Sequence, residues 1–246
     1  MNSLIKFTII TFLFFFGHVS ISVLGQNAAP SLVFQNTSID TVKIKLPNPS
    51  LKGTMTIEEA LAKRRSIREY KDTLLTLEEV SQILWSAYGI TDTVKRSGKE
   101  LHTAPSAMAI YPLTIYLVAG KVKDLPAGIY QYVPKDHYLI LHKSGDFRND
   151  LSTTSNSADM IKNAPVDLVY STDTVIVNKA FGEKNGMILS GIGLGHSAEN
   201  VYLQSTALGM GTCFVGGFNA GKVSAVINMP ANEKTGCIMP LGKLKD

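Results

Sequence analysis

The chain has 246 residues, 45% of them hydrophobic and 18% charged, with a formal net charge of +4. That length supports a sizeable buried core, and the composition is not that of a disordered chain. The charge is small and no run of five lysines and arginines occurs, which argues against a nucleic-acid-binding surface.

Met1 to Lys6 carries one positive charge, and Phe7 to Leu24 is then uncharged and strongly apolar, including Phe12-Leu13-Phe14-Phe15-Phe16. Val23 and Gly25 are small enough for the −3 and −1 positions of a cleavage site. The pattern predicts a signal peptide over residues 1–25, export to the periplasm or beyond, and no stable membrane association after cleavage. An uncleaved anchor is the alternative, weakened by Gly17, His18, Ser20 and Ser22. Residues 26–51 read as an extended lead-in, with Pro30, Pro47, Pro49 and the alternating stretch Val42 to Leu46. Residues 52–246 form the domain proper.

Thr56 with Glu59, and Thr76 with Glu79, have capping-box spacing and open two helices. Val80, Ile83, Leu84, Ala87 and Tyr88 keep helical period in the second, which Gly89 closes. Thr91 to Thr103 reads as a polar loop. Leu113 to Ala119 reads as a strand, and Gly128 to Val133 with Tyr138 to His142 as a pair of strands around Pro134-Lys135-Asp136. Gly145 to Lys162 reads as helical, Pro165 to Ser171 as a buried strand, and Lys184 to Leu208 as a long helix ended by Gly209 and Gly211. Thr212 to Val215 and Cys237 to Pro240 are the last strands expected. Helices and strands interleave without a regular βα repeat, so the class is α+β. Cys213 and Cys237 are the only cysteines. Export would permit a disulfide, but cysteines in buried strands also serve as small apolar residues.

Four stretches have the residue types that chemistry needs. Arg64, Arg65 and Arg68 lie within five residues of one another, with Ser66 between them. Guanidiniums this close repel unless an anion joins them, and their planar fork suits a phosphate. The alternative is a solvated basic helix end. Pro105-Ser106-Ala107, between prolines and before a strand, has small residues that let a backbone approach a flat ligand, or is an ordinary loop. Val215-Gly216-Gly217 follows a strand and offers its backbone to an aromatic ring system, or forms a tight turn. Lys243 would add a second charge, or is a solvated terminal lysine. Gly191-Ile192-Gly193-Leu194-Gly195 resembles a dinucleotide loop, but the third glycine comes one residue early and no clear strand feeds it, so close helix packing is the better reading. No HExxH, CxxC, GxSxG or P-loop motif occurs, and no metal-ligand set is nominated.

Taken in order, these stretches resemble the motifs of the FMN-dependent nitroreductase family. They are Arg64-Arg65-Ser66-x-Arg68, Pro105-Ser106-Ala107 with Tyr111-Pro112-Leu113, Gly195-His196-Ser197-Ala198-Glu199-Asn200, Ala207-Leu208-Gly209-Met210-Gly211, Val215-Gly216-Gly217-Phe218 and Pro240-Leu241-Gly242-Lys243. Their form is most similar to the azoline-dehydrogenase-like branch, related to streptolysin-S maturation enzymes. The resemblance implies a nitroreductase-like α+β fold with a mixed central sheet flanked by helices, an intertwined homodimer, and FMN at the dimer interface. It implies that Arg64, Arg65, Ser66 and Arg68 hold the phosphate end of FMN with Lys243 assisting. Pro105, Ser106 and Ala107 would face the ring from the partner subunit, and Val215, Gly216 and Gly217 would offer backbone groups to it. The chemistry is then the flavin's, with no dedicated catalytic side chain, and two electrons move to or from a small organic substrate. NAD(P)H is the family's usual electron donor, and export leaves the donor open. The chain departs from the branch in three places: His102 and Met108 stand where it often has Arg and Gly, and Lys179-Ala180-Phe181-Gly182, before the long helix, lacks the tyrosine of its Lys-Tyr pair. The alternatives are a flavin-binding redox carrier and a degenerate binding module, both without turnover.

Overall fold

A computed structural model describes residues 42–93 and 98–245. The expected signal peptide and residues 26–41 of the lead-in lie outside the described residues. Those from Val42 onward belong to one compact unit.

Both capping boxes form. Thr56 opens α1 (Ile57–Lys63) and Thr76 opens α2 (Leu77–Tyr88), each side chain accepting from the N3 backbone while the N3 glutamate reaches back. The lead-in contributes β1 (Lys43–Lys45), and the region expected as a loop folds into a small hairpin, β2 (Ile90–Thr93) with β3 (Glu100–His102). Then follow β4 (Leu113–Ala119), β5 (Gly128–Val133), β6 (Tyr138–Ser144), α3 (Arg148–Ser152), α4 (Ala158–Asn163) and β7 (Val166–Asp173). The continuous helix expected over 145–162 is therefore two short ones, split at Thr153–Ser157. Next come α5 (Thr174–Phe181), the long α6 (Glu183–Ala207), β8 (Met210–Thr212), α7 (Ala220–Ile227) and β9 (Glu233–Lys243). Helices α5 and α7 have no counterpart in the sequence reading. Val175-Ile176-Val177 has strand propensity, but Asp173 accepts hydrogen bonds from the Val175 and Ile176 amides and starts a helix instead. Asn219 caps α7 in the same way.

One seven-stranded sheet runs in the order β1-β6-β5-β4-β7-β9-β8. The sheet was expected to be mixed. Every ladder in it is antiparallel, and parallel pairing is confined to isolated bridges such as Ser66 with Thr212. The central strands are buried on both faces, and period-two alternation divides their side chains between two cores. Ile115, Leu117, Leu168, Tyr170 and Met239 pack with α2 and α6 on one face. Tyr116, Val118, Val169 and Ile238 pack with α3, α4 and α7 on the other. The edges are the three-residue strands β1 and β8, too short to template another sheet. Cys237 belongs to the first core and Cys213 to the second. Both are free thiols, on opposite faces of the sheet. Among the described residues no helix is long and apolar enough to cross a membrane.

Candidate functional site

The arginine segment begins where α1 ends. Arg64 is the C-cap residue, its amide donating to the Ala60 carbonyl, and the chain then turns to run along the end of the sheet. Ile67 N–H donates to Thr212 O at 2.9 Å, and Lys71 N–H to Lys243 O at 3.0 Å. Two glycines let the segment lie that close. Gly211 and Gly242 face each other across β8 and β9. A Cβ on Gly211 would fall 2.5 Å from Ile67 Cβ, and one on Gly242 would fall 2.7 Å from Tyr70 Cβ. Tyr70 OH fastens the far end, donating to Ile67 O at 3.0 Å or Pro240 O at 3.1 Å.

The arginines sit on this platform in different states. The Arg64 guanidinium lies 5.2 Å over the Tyr202 ring, with Nε 3.9 Å from a Glu199 carboxylate oxygen. Arg65 is exposed and donates to the Ala62 and Arg64 carbonyls at 3.0 and 2.7 Å, covering the open end of α1. Arg68 is exposed and reaches only the Ser66 carbonyl, at 3.4 Å. Among the described residues neither Arg65 nor Arg68 pairs with a carboxylate. Lys243 does, with Glu79 of α2, so an anion must compete with Glu79 for its ammonium.

Tyr202, which sequence reading did not single out, joins this segment to the glycine pair. Its hydroxyl accepts from the Phe214 amide at 2.7 Å and lies 3.2 Å from Ser66 Oγ. From a sequence, a tyrosine on a long helix is indistinguishable from a core aromatic. Val215 is buried and exchanges both backbone hydrogen bonds with Ile238. Gly216 and Gly217 beyond it are exposed. A Cβ on Gly217 would meet nothing within 4 Å, although the Gly217 carbonyl already accepts from Ser155 Oγ at 2.6 Å. Phe214 also lines a cleft of about 640 Å³ beside α6, with Asn178, Met187, Leu194, Lys234 and Gly236 among its other walls. That volume accommodates a ligand of drug or cofactor size.

Pro105, Ser106 and Ala107 lie elsewhere on the chain. They line a small pocket with Phe181, Leu189 and Gly193, which the arginines, the glycine pair and Lys243 do not line. The structure thus brings together Arg64, Arg65, Ser66, Arg68, Lys243 and, through Tyr202, Val215 to Gly217, and leaves Pro105 to Ala107 apart within one chain. His102 is stacked on Tyr111 with ring centroids 4.1 Å apart, its Nδ1 2.7 Å from Tyr88 O. Burial lowers the His102 pKa.

The nitroreductase family model matches residues 61–243, from just before the first arginine to Lys243. The chain is 33% identical over 204 residues to a Methanocaldococcus jannaschii protein that bears the name nitroreductase, covering 83% of this chain and 98% of that one. A solved structure from Ralstonia eutropha, also named as a nitroreductase, matches with a TM-score of 0.71 and 27% identity over 83% of this chain and 90% of that one. The NADPH:FMN oxidoreductase of Vibrio harveyi, solved with NAD+, shares the fold at a TM-score of 0.55 and 17% identity, over 77% of this chain and 69% of that one. This chain belongs to the nitroreductase family. That kinship makes it an oxidoreductase, and the nitroreductase-like α+β fold expected from its motifs is the fold it has.

Proposed function

We propose that the protein is an exported, FMN-dependent oxidoreductase that works as a homodimer and moves two electrons to or from a small organic substrate. The observation that carries this reading is the arginine segment held flat on the sheet end, with Arg65 and Arg68 exposed and, among the described residues, unpaired with carboxylates, near the exposed Gly216 and Gly217. That donor set fits a phosphate followed by a flat ring. Arg64, Arg65 and Arg68 neutralise the phosphate, Ser66 donates a hydroxyl, and Lys243 assists by exchanging Glu79 for the anion. The Gly216 and Gly217 backbone lies against the ring edge. Bound FMN supplies the hydride chemistry, and the protein orients it and keeps its phosphate charge balanced.

A dimer is supported by what one chain leaves uncovered. Val175, Ile176, Met187, Ile188 and Ile192 on α5 and α6 are all exposed, and Phe214 beside them is 40% exposed. Several large apolar side chains exposed on two adjoining helices mark an interaction surface. A partner subunit seated there would bring its Pro105, Ser106 and Ala107 to the ring. Lys179-Ala180-Phe181-Gly182, at the end of α5, lacks the tyrosine of the azoline-dehydrogenase-like branch, so the reading stays with small organic acceptors rather than peptide azolines. The donor is left open between NAD(P)H and another reductant.

The test avoids the donor. Mature protein loaded with FMN is reduced chemically under anaerobic conditions and mixed with a quinone or a nitroaromatic. Rapid return of the oxidised flavin spectrum is expected. A reduced protein that persists against both acceptors contradicts the proposed electron transfer to small organic substrates.

A further inference from the structure

Tyr202 projects from α6 and meets three other residues of the candidate site. The Arg64 guanidinium lies 5.2 Å over its ring. Its hydroxyl oxygen is 2.7 Å from the Phe214 amide nitrogen and 3.2 Å from Ser66 Oγ. The residue is 9% exposed, and among the described residues these two atoms are the hydroxyl's partners.

The direction of each bond follows from which groups can donate. An amide nitrogen only donates, so the Tyr202 oxygen accepts from Phe214. The tyrosine has one hydrogen of its own, and Ser66 Oγ is the acceptor within its reach. The reverse arrangement, with Ser66 donating, would leave a buried hydroxyl hydrogen unpaired, which costs free energy. Ser66 Oγ therefore accepts from Tyr202, and its own hydrogen is left for another partner. Ser66 is half-buried and held in place, because the next amide, Ile67 N–H, donates to Thr212 O at 2.9 Å. The exposed Arg65 and Arg68 stand on either side of it in the chain. A hydroxyl fixed as a donor among cations is complementary to an anion.

We propose that Tyr202 is a positioning residue: its hydroxyl, held by the Phe214 amide, orients Ser66 Oγ as a donor to the phosphate of FMN. This rests on the FMN reading above. The donors run one way, from the Phe214 amide through Tyr202 to Ser66, and each bond polarises the next. One side chain thereby joins the two ends of the site, since Phe214 immediately precedes Val215-Gly216-Gly217.

Tyr202→Phe tests it, because phenylalanine keeps the ring under Arg64 and removes only the hydroxyl. Binding of FMN and of riboflavin, which lacks the phosphate, is followed by the change in flavin fluorescence. FMN affinity should fall about tenfold, the lower end of what a hydrogen bond to a charged group contributes, while riboflavin affinity stays within about twofold. Ser66→Ala should give the same pattern. The double variant should bind FMN no more weakly than Ser66→Ala alone, since Tyr202 acts through Ser66. A purely structural loss lowers both affinities by the same factor, and that result overturns the proposal. A double variant whose two losses multiply overturns it too. Tyr202→Phe also leaves the Phe214 amide without its acceptor, so Ser66→Ala is the second variant. Unchanged FMN affinity in Ser66→Ala overturns the proposal whether or not Tyr202→Phe folds. A wild-type protein that binds neither flavin is a different result, and overturns the reading beneath it as well.

Discussion

Replacing Asp167 with asparagine is expected to flatten the loss of stability with rising pH and to raise the thermal midpoint, by more at pH 8 than at pH 4. Asp167 lies on β7 between Val118 and Pro240, fully buried, and neither carboxyl oxygen has a hydrogen-bond partner. Pro240 has no amide to offer it. Burial pushes its pKa well above 3.8; nearby Arg148 pulls the other way and Asp146 adds to the rise. From 3.8 up to that raised value, the folded protein keeps a proton that the unfolded chain has released. Stability therefore falls as pH climbs through this window. Asp146, held below the usual range by Arg148, acts in the opposite sense at lower pH. Asparagine keeps the shape of Asp167 and cannot ionise. The gain should grow from pH 4 to pH 8, because asparagine removes the ionisation-linked loss while remaining a buried polar group without a partner. Thermal unfolding followed by circular dichroism at both pH values checks it, and parallel pH profiles for the two proteins would refute it.

Gly211→Ala should separate the arginine segment from the sheet. The new Cβ meets Ile67 Cβ, Cγ2 and Cγ1 at 2.5, 2.6 and 2.7 Å, and Ile67 cannot swing away because its amide is fixed to Thr212 O. Ile67 is β-branched, so rotating the side chain offers little relief. Overpacking of this kind costs about 1–3 kcal/mol. The larger effect is on binding, because the displaced segment is the one that carries Arg64, Arg65 and Arg68. FMN affinity should fall about tenfold or more, where each factor of ten is about 1.4 kcal/mol. Gly221→Ala on α7 is the control. Its Cβ meets nothing closer than Asn219 Oδ1 at 3.5 Å, so it should leave affinity unchanged and stabilise the helix slightly. Wild-type affinity in Gly211→Ala would show that the seating does not place the arginines.

What the sequence disclosed was local or ordered along the chain. The capping boxes at Thr56 and Thr76 are complete within four residues, and the clustering of Arg64, Arg65 and Arg68 is visible in the sequence itself. The features that organise the site are not local. Gly211 and Gly242 matter because Ile67 and Tyr70 lie on them, which is a tertiary fact. Tyr202 acts through Ser66 and Phe214, 136 and 12 residues away. The isolation of Asp167 depends on the strands beside it. Helix α5 was hidden by its β-branched run, and the Asp173 cap outweighed that propensity. The β2–β3 hairpin was hidden by polar residues that carry no alternation.

The most direct test of the central claim is an absorbance spectrum of residues 26–246, purified, mixed with FMN and desalted. Bands near ~370 and ~450 nm should travel with the protein, since the proposed chemistry is the cofactor's. They should be lost from the Arg65→Ala, Arg68→Ala double variant, whose exposed guanidiniums are the ones free to take a phosphate. A colourless wild-type protein would contradict the account, leaving the nitroreductase fold without the cofactor proposed for it.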